Sequence, residues 1–450
     1  MVIRFVRRLQ QLVLPAVAVP LIAWCGFAVA QEEAPTPPPQ PLVLDPNGAA
    51  ALALKNSPQL QIDAQSVVQA EAQLRQVLAI DNVQVNLSAG LVRRGPQPSL
   101  PPGFESFYIK TLHTETLTAS KILWTWGQLE SQRDLARAGI ETARATPAVT
   151  RLALAKLARE ALIKLVYDQR LLDVDQETLA SLMEHQRVTE KRYREGLIAF
   201  FEVAQAEAQV ASAQSRIADR LSLIERDRVA LRRVLSVDQM TALEVSVNNM
   251  PEQPATGLKE SIEYALENRP EMKQAQTALR LQEASIRVAE TSLRPTVSVS
   301  AQLQDQTASF TSKPITYQIV IALQKPILDG GARKAEAKGA RAGLEAARQR
   351  VELVAQAVGA EVADKYVQID KLKERIASAE MAERAAREQL RIARLRFEED
   401  VGLGFEVIDA QAAVASAQTD RAEAELDLNL VLVGLRAAMG MLDLQEAPAQ

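Results

Sequence analysis

RYREGLIAFFEV at 192–203 and RFEEDVGLGFEV at 396–407 are two copies of one pattern, 204 residues apart. At the same offset VASAQ at 210–214 recurs at 414–418, and KILWTWGQ at 121–128 lies opposite KPILDGGA at 325–332. Nearer the start KNSPQL at 55–60 faces ENRPEM at 267–272, now 212 residues on. Offsets that change by a few residues between blocks are what loops of unequal length produce. The chain is therefore a duplication, and a repeat of this kind decides the fold before any local reading does. Each half runs in the order helix, strand, strand, long helix, helix.

The strands lie where helical periodicity stops. Val83, Val85, Leu87, Ala89 and Leu91 alternate with Gln84, Asn86, Ser88 and Gly90. Val297, Val299, Ala301 and Leu303 alternate with Ser298, Ser300, Gln302 and Gln304 in the second half. Period-two alternation gives a strand one apolar and one polar face. The expected strands are 83–93, 106–121, 296–305 and 315–328, joined in pairs by loops rich in Pro, Gly and Ser at 93–103 and 305–314. The second strand alternates poorly, because His113 and Glu115 fall on its apolar side. Around the strands, helical tracts are expected from about Gln128 to Arg194, with a kink possible at Pro147, and from about Ala332 to Glu399. Tracts of this length would run about 100 Å at ~1.5 Å per residue. Their many alanines let neighbouring helices approach closely.

Composition agrees with this reading. Of 450 residues 47% are hydrophobic but only 4% aromatic, and the net charge is -4. The charges are interspersed, so no basic patch points to nucleic acid. Arg4, Arg7 and Arg8 precede an almost wholly apolar run from Leu12 to Val29 that ends in Ala28-Val29-Ala30, the pattern of a secretory signal peptide. A membrane anchor is the other reading, and Pro15 and Pro20 argue against it. A lipoprotein would use Cys25, the single cysteine, but Trp24 is a poor neighbour for lipidation. Cleavage after Ala30 removes three arginines, so the charge of -4 becomes -7, and it leaves a chain in which disulfides play no part. APTPPPQP at 34–41 cannot pack a core. The expected organisation is a signal peptide at 1–30, a Pro-rich leader at 31–47, a first repeat at 48–236, a linker at 237–257, a second repeat at 258–440 and a tail at 441–450.

Four half-apolar strands cannot close a membrane barrel, which needs about eight strands because open edges are intolerable in lipid. Several chains contributing four strands each solve the problem; a soluble sheet packed on helices is the alternative. Trp124 and Trp126 end the second strand, where an aromatic girdle would sit, or where ordinary junction packing would use them.

Over nearly all of its length after residue 30 the chain resembles the TolC-type outer-membrane efflux proteins. The marks are the tandem repeats, the Pro-led strand at Pro295, and the turn from Gln324 to Gly331 into the long helix. The most specific is an arginine, an aromatic residue, a glycine three positions on, and an acid–valine pair six positions beyond that. Arg192, Tyr193, Gly196, Glu202 and Val203 match it in full. In the second copy Arg396, Phe397, Glu406 and Val407 match, but Asp400 stands where the glycine should be and Gly402 comes two residues late. Either could serve a turn that needs a residue tolerant of positive φ. The resemblance implies a mainly α fold with a membrane β-barrel part: four strands per chain in a trimeric 12-stranded barrel above a long α-helical barrel. It implies a homotrimer that meets outer-membrane lipid, with tips that meet a periplasmic adaptor protein and an inner-membrane pump.

No catalytic constellation is present. His113 and His185 are read as structural or exposed, Gly330-Gly331 fits a strand-to-helix turn rather than a nucleotide loop, and no cofactor or metal is expected. The helix-hairpin tips are the candidate sites. Gly196, Leu197 and Ile198, and Val401, Gly402 and Leu403, put apolar residues at exposed turns and are expected to contact the adaptor; a buried loop staple is the plainer reading. Glu406 and Asp409, three apart on one helix face, match acids that line the periplasmic aperture in the resembling family; an exposed acidic face is the alternative. Glu202 matches an acid that helps hold that aperture shut with a tyrosine and an arginine. Phe397 and Gly402 occupy those partner positions here, so closure is expected to rest on apolar packing of Phe200, Phe201, Phe397 and Phe405. An export duct, not an enzyme, is the function expected. A periplasmic adaptor or a coiled-coil scaffold would leave the duplicated strand pairs without a role.

Overall fold

The segments that alternate form strands, and the tracts between them form helices, in one order repeated twice. In the computed structural model, β1 (Leu42–Leu44), α1 (Pro46–Asn56), α2 (Pro58–Ala79), β2 (Gln84–Arg93), β3 (Thr111–Trp124), α3 (Gln128–Arg194) and α4 (Phe200–Leu235) make the first repeat. β4 (Leu243–Val245), α5 (Leu258–Asn268), α6 (Pro270–Thr291), β5 (Thr296–Thr307), β6 (Ile315–Gln324), α7 (Ala332–Glu398) and α8 (Gly404–Ala438) make the second. The structure describes residues 42–93, 95, 101, 111–246, 252–307, 315–399 and 401–441. The expected signal peptide, the APTPPPQP run, Cys25, Asp400, most of both strand-connecting loops and nearly all of the tail lie outside the described residues.

The duplication is visible helix by helix. α3 and α7 are each 67 residues long and begin 204 residues apart, and each spans about 100 Å at ~1.5 Å per residue. α1 and α2 are separated by Ser57, whose hydroxyl accepts from the Leu60 N–H at the start of α2. Pro58 and Pro270 open α2 and α6, where a missing N–H costs nothing. α3 continues through Pro147. It packs against α4, α8, α6 and α2, while α7 packs against α8 and α6. The two main core clusters are copies of one another. Leu165, Leu231 and Leu235 are buried in the first, and their counterparts Ile369, Leu435 and Met439 are buried in the second.

The four long strands form one antiparallel sheet in the order β2-β3-β5-β6. Its register stacks apolar residues in rows: Leu87, Leu117, Leu303 and Tyr317 in one, Val85, Ala119, Ala301 and Ile319 in the next. The other face carries Asn86, Thr118, Gln302 and Gln318. His113 and Glu115 pair with Leu91 and Ala89, so both sit on the apolar face, as their sequence positions require. Glu115 lies opposite Asp305, and Lys121 opposite Val299. On β3 these charges bound an apolar band about 20 Å tall at ~3.3 Å per residue. Every residue of β2 and of β6 is exposed, so no layer of the described residues covers either edge strand.

Several boundaries differ from expectation. β6 stops at Gln324 rather than 328, because Pro326 has no N–H to continue the ladder; Ile327 and Leu328 beyond it are exposed. β3 runs on to Trp124, while Trp126 falls in the following turn at φ 48. The leader and linker also contain structure. β1, inside 31–47, pairs in parallel with β4, inside 237–257, and ties the start of one repeat to the start of the next.

Candidate functional site at the hairpin tips

Each long helix ends where its backbone can no longer find an i−4 partner, and the two tips solve this differently. At the first tip Gly196 has φ +76, a conformation that a β-carbon disfavours. Its N–H donates to the Tyr193 carbonyl at 2.9 Å, and the Leu197 N–H donates to the Arg192 carbonyl at 3.0 Å. This pair of bonds satisfies the last carbonyls of α3. At the second tip the Val401 N–H donates to the Arg396 carbonyl at 2.9 Å, the matching bond. Gly402 does not supply the left-handed residue there, contrary to one expectation. It is glycine for space: an added β-carbon would lie 2.9 Å from the Arg396 β-carbon and 3.0 Å from the Phe397 nitrogen.

The exposed apolar residues expected at the tips are present. Leu197, Val401 and Leu403 are exposed and Ile198 is half-buried. Phe200 is 60% and Phe201 73% exposed, and Phe405 is also exposed. Phe397 departs from that group. It is 4% exposed and belongs to the tip's own core with Leu390, Val407 and Ala410. Its ring lies 5.2 Å from the His185 ring, and the Arg192 guanidinium sits 4.2 Å above it. Of the four phenylalanines expected to pack at the aperture, three are exposed and Phe397 is buried within its own chain.

His185, Phe397, Glu202 and Gly404 come from four helices and meet at one point. A β-carbon on Gly404 would lie 3.0 Å from Glu202 Oε2, 3.6 Å from Phe397 Cε2 and 3.7 Å from His185 Nε2. Burial, aided by the charges of Arg394 and Arg192, pushes the His185 pKa down to about 4, so the imidazole is neutral at pH 7. Glu202 forms no ion pair among the described residues. Glu406 does: Arg396 Nη1 lies 3.4 Å from its Oε2. Arg192, the counterpart of Arg396, instead crosses to the other hairpin and donates Nη2–H to the Glu398 carbonyl at 3.0 Å. Asp409 is exposed and Glu406 half-buried. Sequence reasoning missed the Arg192 bridge, and of the two readings offered for His185, structural or exposed, the structure shows it buried. The arginine–aromatic pair at 396–397 was the available signal, but its repeat at 192–193 made both copies look alike.

Among the described residues no group of three or more His, Asp or Glu side chains is placed to hold a metal. No described helix is long and apolar enough to cross a membrane.

The curated relatives of the chain include efflux and nodulation proteins. The chain is 24% identical over 277 residues to the probable efflux pump outer membrane protein TtgC of Pseudomonas putida, covering 60% of this chain and 56% of that protein. It is 22% identical over 352 residues to nodulation protein T of Rhizobium leguminosarum, covering 74% of this chain and 73% of that one. The chain thus spans little more than half the length of the TtgC relative it matches. Its fold matches that of the outer membrane protein VceC of Vibrio cholerae, with TM-score 0.74 and 21% identity over 88% of this chain and 96% of that structure. The family described as "Outer membrane efflux protein" matches residues 49–237 and 261–441, one stretch on each repeat. A family match of that extent, carried by both copies of the duplication, means that the chain belongs to the outer membrane efflux protein family.

Proposed function

We propose that this chain is an outer-membrane export channel, the exit duct of a multicomponent efflux or type I secretion system. It works as a homotrimer whose helical part projects into the periplasm. The observation that carries this reading is the sheet. Four strands with one apolar face have two uncovered edge strands, β2 and β6, and among the described residues neither is paired beyond its one neighbour. In lipid such edges must close. Three copies give twelve strands, above the minimum of about eight, and a cylinder of long helices below. Trp124 and Trp126, in edge contact at 6.3 Å, stand at the sheet's lower rim, a position that suits an interfacial aromatic belt. Family and fold are those of channel proteins rather than enzymes.

The tips take the adaptor and the pump behind it. Gly196, Leu197, Ile198, Val401, Gly402 and Leu403 form the contact, since exposed apolar side chains at a turn invite a partner. Glu406 and Asp409 line the aperture. Three copies would place six carboxylates there, of which Glu406 is partly neutralised by Arg396. The ring draws small cations and slows anions. Recording single channels in planar bilayers tests this. The Glu406→Ala, Asp409→Ala double variant should lose cation preference and block by multivalent cations, and unchanged selectivity would put both acids on the outer face.

A further inference from the structure

Near the end of the first hairpin away from its tip, α3 and α4 bury two carboxylates against each other. Asp168 is 5% and Asp227 8% exposed, and the two side chains are within hydrogen-bonding reach. Ionised carboxylates only accept. Accordingly Asp168 Oδ2 and Asp227 Oδ2 are both buried with no donor among the described residues. Lys164 reaches Asp227 Oδ1 at 3.1 Å, and Arg220 lies 3.8 Å from Asp168 and 3.2 Å from Asp175. Arg226 acts on Asp227 from the same helix. The other elements packed here bring little charge to the pair. α1 presents Lys55 to solvent, β4 presents Glu244 to solvent, and α8 brings Glu425, which pairs with Arg170 and Arg421.

The second repeat shows that the fold does not need these charges. At the positions 204 residues on from Lys164, Asp168, Asp175, Arg220 and Asp227 stand Gln368, Leu372, Ala379, Ala424 and Val431. Leu372 and Ala424 are buried. At the positions of the acid pair the second hairpin thus carries a buried leucine and a half-buried valine. Burying two acceptors without a donor is costly, and a single proton between them removes that cost by supplying the donor that both oxygens lack.

We propose that Asp168 and Asp227 form a one-proton switch that tightens the first helical hairpin in acid and loosens it towards neutral pH. Burial and the neighbouring Asp227 raise the Asp168 pKa to about 7, against the pull of Lys164 and Arg220. Burial opposes ionisation of Asp227 too, but hydrogen bonds from Asp168 and Lys164 outweigh it and hold its pKa below the usual carboxylate value. Once the contact opens, Asp168 has an ordinary pKa of about 3.9. Opening therefore releases a proton from about pH 4 to about 7, and its equilibrium constant rises about tenfold per pH unit across that window. Above about 7 both forms are ionised and the constant levels off.

The test is hydrogen exchange on the full-length chain in detergent at pH 5 to 8, corrected for intrinsic exchange rates. Protection of 160–172 and 222–232 should fall by more than tenfold from pH 5 to 7. Protection of the matching segments 364–376 and 426–436 should stay level. Asp168→Asn supplies a permanent donor in the same shape, and the Asp168→Leu, Asp227→Val double variant installs the second repeat's chemistry. Either should abolish the pH response, with Asp168→Asn keeping protection high at pH 8. A flat wild-type profile, or a slope that survives in Asp168→Asn, overturns the switch.

Discussion

The two hairpins share a template and differ in what they place at equivalent points. Tyr193 of the first is exposed, while Phe397 of the second is buried. Phe200 points out where Gly404 is buried. Arg396 stays with Glu406 on its own hairpin, whereas Arg192 leaves Glu202 and covers Phe397. Even the turns from sheet to helix diverge: Gly330 and Gly331 take the left-handed conformation in one copy, and Trp126 and Gly127 in the other. An aromatic residue at φ > 0 costs about 1–2 kcal/mol, and there Arg294 holds the Trp126 carbonyl with a 2.5 Å hydrogen bond. What the copies keep is the apolar spine that makes them fold. What they change is polarity at particular positions: Asp168, Asp227 and His185 are buried on the first hairpin, where Leu372, Val431 and Gln389 stand on the second.

The sharpest way to break this comparison is to truncate the two aromatics. Phe397→Ala should cost about 3–5 kcal/mol, the range for a buried aromatic, and should expose the tip to protease. Tyr193→Ala, at the matching exposed position, should cost under about 1 kcal/mol. Similar melting shifts for the two would mean that the hairpins are equivalent after all.

The glycines come next. Gly196→Val forces a β-branched residue to φ +76 and should cost about 1–3 kcal/mol. Because a β-carbon there meets open space, assembly should survive while export is lost. Gly402→Ala should be comparably destabilising for the other reason, collision with Arg396, at about 1–3 kcal/mol. A melt unaffected by Gly402→Ala would show that the loop can shift aside.

His185 gives a smaller, pH-dependent effect. Its pKa is depressed to about 4 from an unfolded value of about 6.5. The stability it contributes is present above about 6.5 and is lost as the pH falls towards about 4. The tip should thus loosen in acid, opposite in sign to the Asp168–Asp227 contact higher in the same hairpin. His185→Gln, which installs the residue found at 389, should flatten the acid limb of tip proteolysis and leave the pH 7 rate within a few-fold. An acid limb that persists in His185→Gln would assign it to another group.

Much of this was legible before any coordinates. The offsets of 204 and 212 residues gave the order of elements in each half, and period-two alternation placed the four long strands, because duplication doubles the evidence for each element. The tips were legible through one motif. Three things were not, for physical reasons. β1 and β4 have three residues each, too few to display a period. Asp168 and Asp227 each read as an ordinary polar position on a long helix, since burial between helices depends on rotation that sequence spacing leaves open. Phe397 and Arg192 depend on a choice between intra- and inter-hairpin partners, and two nearly identical motifs cannot reveal which copy crosses over.

The uncovered edges of β2 and β6 make the central claim, and the mass of the folded chain in detergent tests it most directly. Native mass measurement with an unheated, heated gel comparison should give a three-chain species that retains its β-sheet signal and falls to single chains only on heating. A folded, monodisperse single chain with the same β-sheet signal would contradict closure between copies and with it the channel.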